Sequence, residues 1–288
     1  MLDKLVSLLC VGFVGAVLAG EEAEVQKQPL KDPGVESLRF ELRHIENKGV
    51  GYNTGYSTVE IFIAPAADPW DFMTLIDLRA HILNNGKFDS NVGFGFRMPG
   101  GCRLYGINFY WDYRLTQRYH YDQFGVGFET MGVRWDFRAN GYIPFGEKES
   151  PIYDGSTVEF AMSGVDAEVA YHFLKNRHID LYAAVGPYYY FHNKKGMDFA
   201  DAIGGRARVA AKIYDYISLE LINTYDSLFH ENVQGSISLN VPLGPRARLS
   251  EKSKSKLKKC QNTYCLGQRL IQNVERQEII VLSHGQMK

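Results

Sequence analysis

The 288-residue sequence predicts an all-β protein whose long strands close into a transmembrane barrel. Three observations point there. Apolar and polar side chains alternate with a period of two over many separate runs, as strands with two unlike faces require. Most of those runs are eight to fifteen residues long, near the roughly 9–11 residues of a tilted membrane strand, whereas soluble strands average about 5–6. Charged residues recur in mid-strand on the face opposite the aromatic one. Facing lipid at mid-depth, an arginine costs roughly 2–4 kcal/mol; facing a wet lumen it costs little. The charged face is therefore expected to point inward. A soluble sandwich, which would give its polar face to bulk water, is the competing arrangement.

The clearest runs lie between Gly106 and Gly146. Ile107, Phe109, Trp111 and Tyr113 oppose Asn108, Tyr110, Asp112 and Arg114. Phe124, Val126 and Phe128 oppose Gly125, Gly127 and Glu129, and Trp135, Phe137 and Ala139 oppose Asp136, Arg138 and Asn140. Taken in order, strand candidates separated by Gly, Pro, Asn or Asp are Leu38–Glu46, Ser57–Ala64, Phe72–Leu83, Ser90–Met98, Arg103–Leu115, Tyr121–Met131, Arg134–Tyr142, Val158–His172, Ile179–Phe191, Phe199–Ile213, Tyr216–Tyr225 and Asn232–Val241, twelve in all. Val92, Phe94, Phe96 and Met98 oppose Gly93, Gly95 and Arg97, and Ile217, Leu219 and Leu221 oppose Ser218 and Glu220. Trp70 and the run Tyr188 to Phe191 stand at strand ends, which suits interfacial aromatic girdles or ordinary strand-end packing.

Composition agrees with this reading. The chain has 18 tyrosines, 17 phenylalanines and 28 glycines, a mix suited to strands and tight turns, and its net charge of −1 gives no electrostatic reason to expect a nucleic-acid partner. Residues 1–19 read as a signal peptide, with Lys4, an apolar core from Leu5 to Ala16, and Val17-Leu18-Ala19 before Glu21 and Glu22. A buried N-terminal helix is the other reading. Residues 20–37 form a short charged lead, residues 38–243 the barrel and residues 244–288 a tail. No later stretch reaches the roughly 18 apolar residues of a spanning helix.

The tail opens on a basic run, Arg246 to Lys259, with seven basic residues and one acid. It reads either as a solvated linker or as chain that threads the pore. An even strand count puts both barrel ends on one side, so anything C-terminal that reaches the other side must cross the lumen. At about 3.3 Å per extended residue, a band of about 25 Å needs eight or so residues. The 45 residues after Leu243 suffice for that and are too few to add an external adhesive domain. Cys260 and Cys265 form a small disulfide loop or stay as two thiols, and Cys102, at a Gly-Gly turn, is expected to be free.

The spaced residues Gly106, Asn108-Phe109-Tyr110, Asp112-Tyr113, Gly125, Gly127, Glu129, Ala139-Asn140-Gly141-Tyr142 and Pro144 resemble the β-domain of inverse autotransporters, the intimin/invasin type. So do Asp166-Ala167-Glu168, Tyr182 to Tyr190, Gly204-Gly205 with Arg206 and Arg208, Tyr225-Asp226, and Gln234-Gly235 to Pro242, and the segment Gln268 to Leu282 looks like that family's post-barrel linker. The resemblance implies a twelve-stranded antiparallel barrel in the outer membrane of a Gram-negative bacterium. It further implies contact with outer-membrane lipid, barrel-assembly machinery and periplasmic chaperones, and a post-barrel segment that occupies the pore. The role it implies is that of translocator and anchor. A stand-alone porin-like or structural barrel is the alternative.

Candidate lumen-lining residues are Arg97, Asp112, Arg114, Glu129, Asp136, Arg138, Asp166, Glu168, Arg206, Arg208 and Glu220. They form either a charged collar that holds the tail or passes ions, or cross-strand pairs that stiffen the wall, and the two roles are compatible. No enzyme, metal site or cofactor is expected. His81, His120, His172, His178 and His192 stand in no nucleophile elbow and read as loop or rim residues, and no metal-ligand spacing occurs. Gly93-x-Gly95 and Gly125-x-Gly127 lie within strands. They are expected to make room on the lumen side for the tail or a large neighbour.

Overall fold

The structure, a computed structural model, describes residues 34–64, 73–117, 119–151, 157–176, 178–192, 200–214, 216–248 and 269–286. The signal-peptide reading, most of the lead, Trp70, Cys260 and Cys265 lie outside the described residues. The described residues form fifteen strands: β1 Gly34–Glu46, β2 Tyr56–Ile63, β3 Met73–Leu83, β4 Phe88–Gly100, β5 Arg103–Leu115, β6 His120–Met131, β7 Trp135–Phe145, β8 Glu149–Pro151, β9 Thr157–Ala161, β10 Ser163–Lys175, β11 Ile179–Phe191, β12 Ala202–Ile213, β13 Ile217–Asp226, β14 His230–Arg248 and β15 Leu282–Gln286. Twelve of them close into a barrel in the order β1-β14-β13-β12-β11-β10-β7-β6-β5-β4-β3-β2. Every adjacent barrel pair is antiparallel. The all-β, twelve-stranded antiparallel expectation holds.

Alternation sets which face goes where. On β5, Ile107, Phe109, Trp111 and Leu115 are exposed, while Asn108, Tyr110, Asp112 and Arg114 are buried. The same split runs round the wall: Val92, Phe94, Phe124, Val126, Phe128, Val185, Leu219 and Leu239 point outward. An apolar exterior over a charged interior is the membrane-barrel arrangement, since lipid tolerates no unpaired charge. Phe109, 46% exposed, pairs across to Phe94 and Val126 in the middle of this belt. Phe109→Arg is therefore expected to lower folding stability in bilayers by about 2–4 kcal/mol. A denaturant titration of liposome-inserted protein with an unchanged midpoint would contradict the outward assignment.

The structure corrects the strand list in three places. The run Val158–His172 is not one strand. It breaks at Met162, whose amide donates to Val281 O at 2.9 Å, and β9 leaves the barrel to join β15 and β8 in a separate three-stranded sheet. The apolar phase inverts at this point, from Val158, Phe160 and Met162 to Val165, Ala167, Val169 and Tyr171, so the shift was a signal that reading one continuous strand passed over. Secondly, β1 and β14 extend past the expected barrel limits of 38 and 243, pairing Gly34 with Arg248 and Glu36 with Arg246 across a bulge between Glu36 and Leu38. Backbone pairing there needs no side-chain pattern. Thirdly, β8 and β15 are short strands that sequence reading did not find.

Other local expectations are revised as well. Cys102 is disulfide-bonded rather than free, and the chain's other cysteines lie outside the described residues. His81 and His172 belong to β3 and β10 and are buried, not loop residues; His120 begins β6 instead of forming the turn. His81 bridges Thr58 Oγ1 (2.8 Å) and Asn91 Oδ1 (2.6 Å). In the Tyr188–Phe191 run, only Tyr189 is an exposed aromatic on the outer face; Tyr188 and Tyr190 are buried, with the Tyr188 hydroxyl donating to Asp226 at 2.6 Å.

Candidate functional site

The inner face and residues 269–281 form one continuous polar and apolar contact surface. Eight-stranded barrels fill their interiors with wall side chains; twelve strands enclose more space than side chains alone can fill. Here glycine enlarges it further. A Cβ on Gly125 would stand 2.3 Å from Arg276 Nη2, and one on Gly93 2.3 Å from the Tyr110 ring. The room predicted at these positions thus accommodates both a residue of the tail and a large neighbour. Gly51, with φ +78°, permits an equally close approach by Val281 and Leu282.

Each residue type in 269–281 meets a matching wall. The Arg276 guanidinium donates to both carboxylate oxygens of Asp112, each at 2.6 Å, and lies 4.2 Å from the Tyr110 ring centroid. Planar bidentate pairing is the strongest geometry open to this pair. Glu278 accepts from Arg43 at 2.6 Å and from Arg79 at 2.5 Å. Glu275 accepts from Arg208 at 2.9 Å, and Asn273 donates to Glu41 at 2.5 Å. Arg269 donates to Asp136 and to Gly132 O, and its Nη2 lies 3.0 Å from His172 Nε2.

The backbone of 269–281 is matched too. An extended chain without a ladder partner leaves carbonyls that burial would penalise. Arg39 donates to Ile271 O at 2.7 Å, Arg97 to Leu270 O at 2.8 Å and also to Gln272 O, and Arg79 to Val274 O at 3.0 Å. Asn91 donates to Glu278 O at 2.8 Å, and Arg114 to Ile280 O. These donors sit on β1, β3, β4 and β5. Apolar residues of the segment find apolar patches on the inner face. Leu270 and Val274 join Phe62, Met73, Leu75, Leu104, Tyr110 and Met131 in one cluster, and Val281 joins Tyr142, Phe160, Tyr188 and Tyr190 in another.

Of the eleven sequence-predicted residues, the structure places Arg97, Asp112, Arg114, Asp136, Arg206 and Arg208 in direct hydrogen bonds with residues 269–281. The other five act behind them. Glu129 pairs with Arg97 at 2.5 Å, Arg138 bridges Asp136 (3.0 Å) and Glu168 (2.9 Å), and Glu168 and Glu220 hold Arg208 at 2.7 and 2.8 Å. Asp166 accepts from Asn140 and the Tyr142 hydroxyl, both at 2.8 Å. A polar cavity of about 30 Å³ remains beside Glu275, between Arg138, Asp166, Glu168, Arg206 and Arg208.

Sequence reasoning missed Arg39, Arg43, Glu60, Asp77 and Arg79. On β3 the inward residues are Met73, Leu75, Asp77, Arg79, His81 and Leu83, so both faces carry apolar groups and the alternation is blurred. Two charges two residues apart, Asp77 and Arg79, were the available signal. A test of this packing is Gly93→Val. It is expected to displace Tyr110, whose hydroxyl donates to Asp77 at 2.7 Å, and to cost about 1–3 kcal/mol by overpacking. Gly141→Ala, with only Val126 near at 3.6 Å, should leave the thermal midpoint unchanged.

Beyond the inner face, β15 pairs with β9, and His284 Nε2 lies 3.3 Å from Glu159 Oε2. Burial works against ionisation of Glu159, but His284, Arg114 and the Tyr121 hydroxyl outweigh it and hold the carboxyl below its usual range.

A closed all-β barrel with a greasy exterior and an ionised interior is an outer-membrane barrel. The chain belongs to the inverse autotransporter β-domain family, which matches residues 39–278. That match runs past the barrel strands to Glu278, inside the segment just described. Two solved structures share the fold. One comes from work on the in-meso crystallisation of membrane proteins, with 14% identity over 85% of this chain and 99% of that one and a TM-score of 0.61. The other is an outer-membrane channel from Pseudomonas putida F1, with 9% identity, 76% and 99% coverage and a TM-score of 0.57. No curated protein matches the chain.

Proposed function

We propose that this outer-membrane barrel is a polypeptide translocator and anchor, with residues 269–281 lying along its lumen as the resident stretch of translocated chain. The observation that carries this reading is the ordered set of contacts from one rim to the other. Arg269 meets Gly132 and Asp136 beside β7's first residues, Arg276 meets Asp112 in mid-wall, and Val281 meets Met162 at the opposite rim. After a turn closed by Gln272 N donating to Arg269 O at 3.2 Å, the ten residues to Val281 reach at most about 33 Å, more than a membrane band of about 25 Å. A segment packed at random against a pore wall would not have its carbonyls met one after another by arginine and asparagine.

In this reading the remaining features take their places. A signal peptide at residues 1–19 directs export and is cleaved, periplasmic chaperones and barrel-assembly machinery deliver the strands, and lipid covers the aromatic exterior. The activity is mechanical and involves no cofactor or covalent step.

Planar-bilayer recording tests the assignment. The full chain is expected to show little steady conductance, and a chain ending at Arg248 is expected to open a stable pore. Equal, stable conductance from both would favour a porin-like barrel with its tail outside the lumen.

A further inference from the structure

The three-stranded sheet at the far rim has no part in closing the barrel. β9 is its middle strand, with β8 on one edge and β15 on the other. β15 pairs with β9 over Leu282↔Ala161, Ser283↔Phe160, His284↔Glu159, Gly285↔Val158 and Gln286↔Thr157. The Met162 amide continues the pairing to Val281 O at 2.9 Å. The hairpin is braced against the barrel: Tyr121, on β6, bonds through its hydroxyl to Ser150 of β8 and to Glu159 O of β9 at 3.2 Å. Val158 and Phe160 are buried, and Phe160 packs in one cluster with Tyr142, Tyr188, Tyr190 and Val281.

The side chains of β15 add one ion pair with β9, His284 Nε2 to Glu159 Oε2 at 3.3 Å, and one apolar contact. Leu282 is buried against Tyr121, Ala161 and Ile280. Ser283, His284, Gly285 and Gln286 supply no large apolar group. Recognition rests on main-chain hydrogen bonds, as when an extended peptide adds to a sheet edge.

We propose that β9 is a strand-addition seat for extended polypeptide leaving the lumen, and that β15 is its resident occupant. The partner is this chain's own backbone, taken with little regard to sequence. This rests on the translocator reading above. Pairing at the exit satisfies amides and carbonyls as they emerge and opposes backward sliding.

Paired cysteines test it in the full chain in outer membranes, read by mass spectrometry of non-reduced peptides. Glu159→Cys with His284→Cys is expected to form a cross-link. Two residues are then inserted between Val281 and Leu282, which keeps face parity and brings Leu282 opposite position 159. With insertion, the cross-link is expected to transfer from His284→Cys to Leu282→Cys. If it stays with His284→Cys, or is lost from both, β9 reads this particular sequence or nothing, and the proposal fails. A separate pair, Glu41→Cys with Asn273→Cys, reports the lumen. Its loss in the uninserted chain would count against the translocator reading itself, so the two failures are distinguishable.

Discussion

Arg276→Met is expected to free residues 269–281 from the wall while leaving the barrel folded. Methionine fills similar volume but donates nothing, so Asp112 keeps only the Asn91 amide at 2.8 Å. Asp112 and Asn91 are both buried, and water cannot reach the abandoned carboxylate freely. Removing one member of a buried ion pair costs about 3–5 kcal/mol, chiefly because the other is left uncompensated. The cation–π contacts with Tyr110 (4.2 Å) and Tyr142 (5.3 Å) are lost too. A shift of that size corresponds to about two to four orders of magnitude in the seated-to-released ratio. A protease of broad specificity, added from the side on which the tail begins, should then cut within residues 269–281 in the variant and spare them in the parent. Asp112→Asn with Arg276→Met should recover part of the loss, because the unpaired charge has gone. Unchanged protection in the single variant would mean that the pair does not hold the segment.

Arg79→Ala should have the larger effect, and on the barrel as well as the segment. Its side chain is fully buried among three carboxylates: Asp77 at 2.6 Å, Glu278 at 2.5 Å and Glu60 at 3.4 Å. It also donates to Val274 O. Arg43 and Arg39 reach Glu278 and Glu60 and compensate in part. Asp77 is left with the Tyr110 hydroxyl. The expected loss is again at least about 3–5 kcal/mol. It should appear as a lower temperature for conversion of the compact gel form to the heat-denatured one. An unchanged conversion temperature would mean that Arg79 does not hold these carboxylates together.

How much of this was legible in the chain differs from element to element. Through the middle of β5 and β6 the alternation is clean: from Tyr105 to Tyr113 and from Phe124 to Glu129, outward positions are aromatic or aliphatic and inward ones polar, tyrosine or glycine; Arg103–Leu115 agrees with the structure at both ends. On β3 the code is mixed, because Met73 and Leu75 face inward to meet Leu270 and Val274, and Leu83 faces inward into a cluster with Ile279. A rule of polar inside and apolar outside fails wherever inward side chains pack in an apolar cluster. The hairpin β8–β9 escaped for another reason. A three-residue strand carries no periodic signal, and β15 is a strand only because β9 lies beside it.

The sequence by itself determined the barrel: its all-β class, its twelve strands, and which face of most strands is charged. Those are local properties, since the two-residue period is written in neighbouring side chains. Only the tertiary structure decided which charge meets which, because Asp112 and Arg276 stand 164 residues apart and no spacing along the chain encodes their approach. Which groups the wall arginines meet was likewise settled by closure. Once twelve strands ring a space wider than their own side chains fill, buried arginines on the wall need acceptors, and the carbonyls and carboxylates of residues 269–281 are what the fold brings to them.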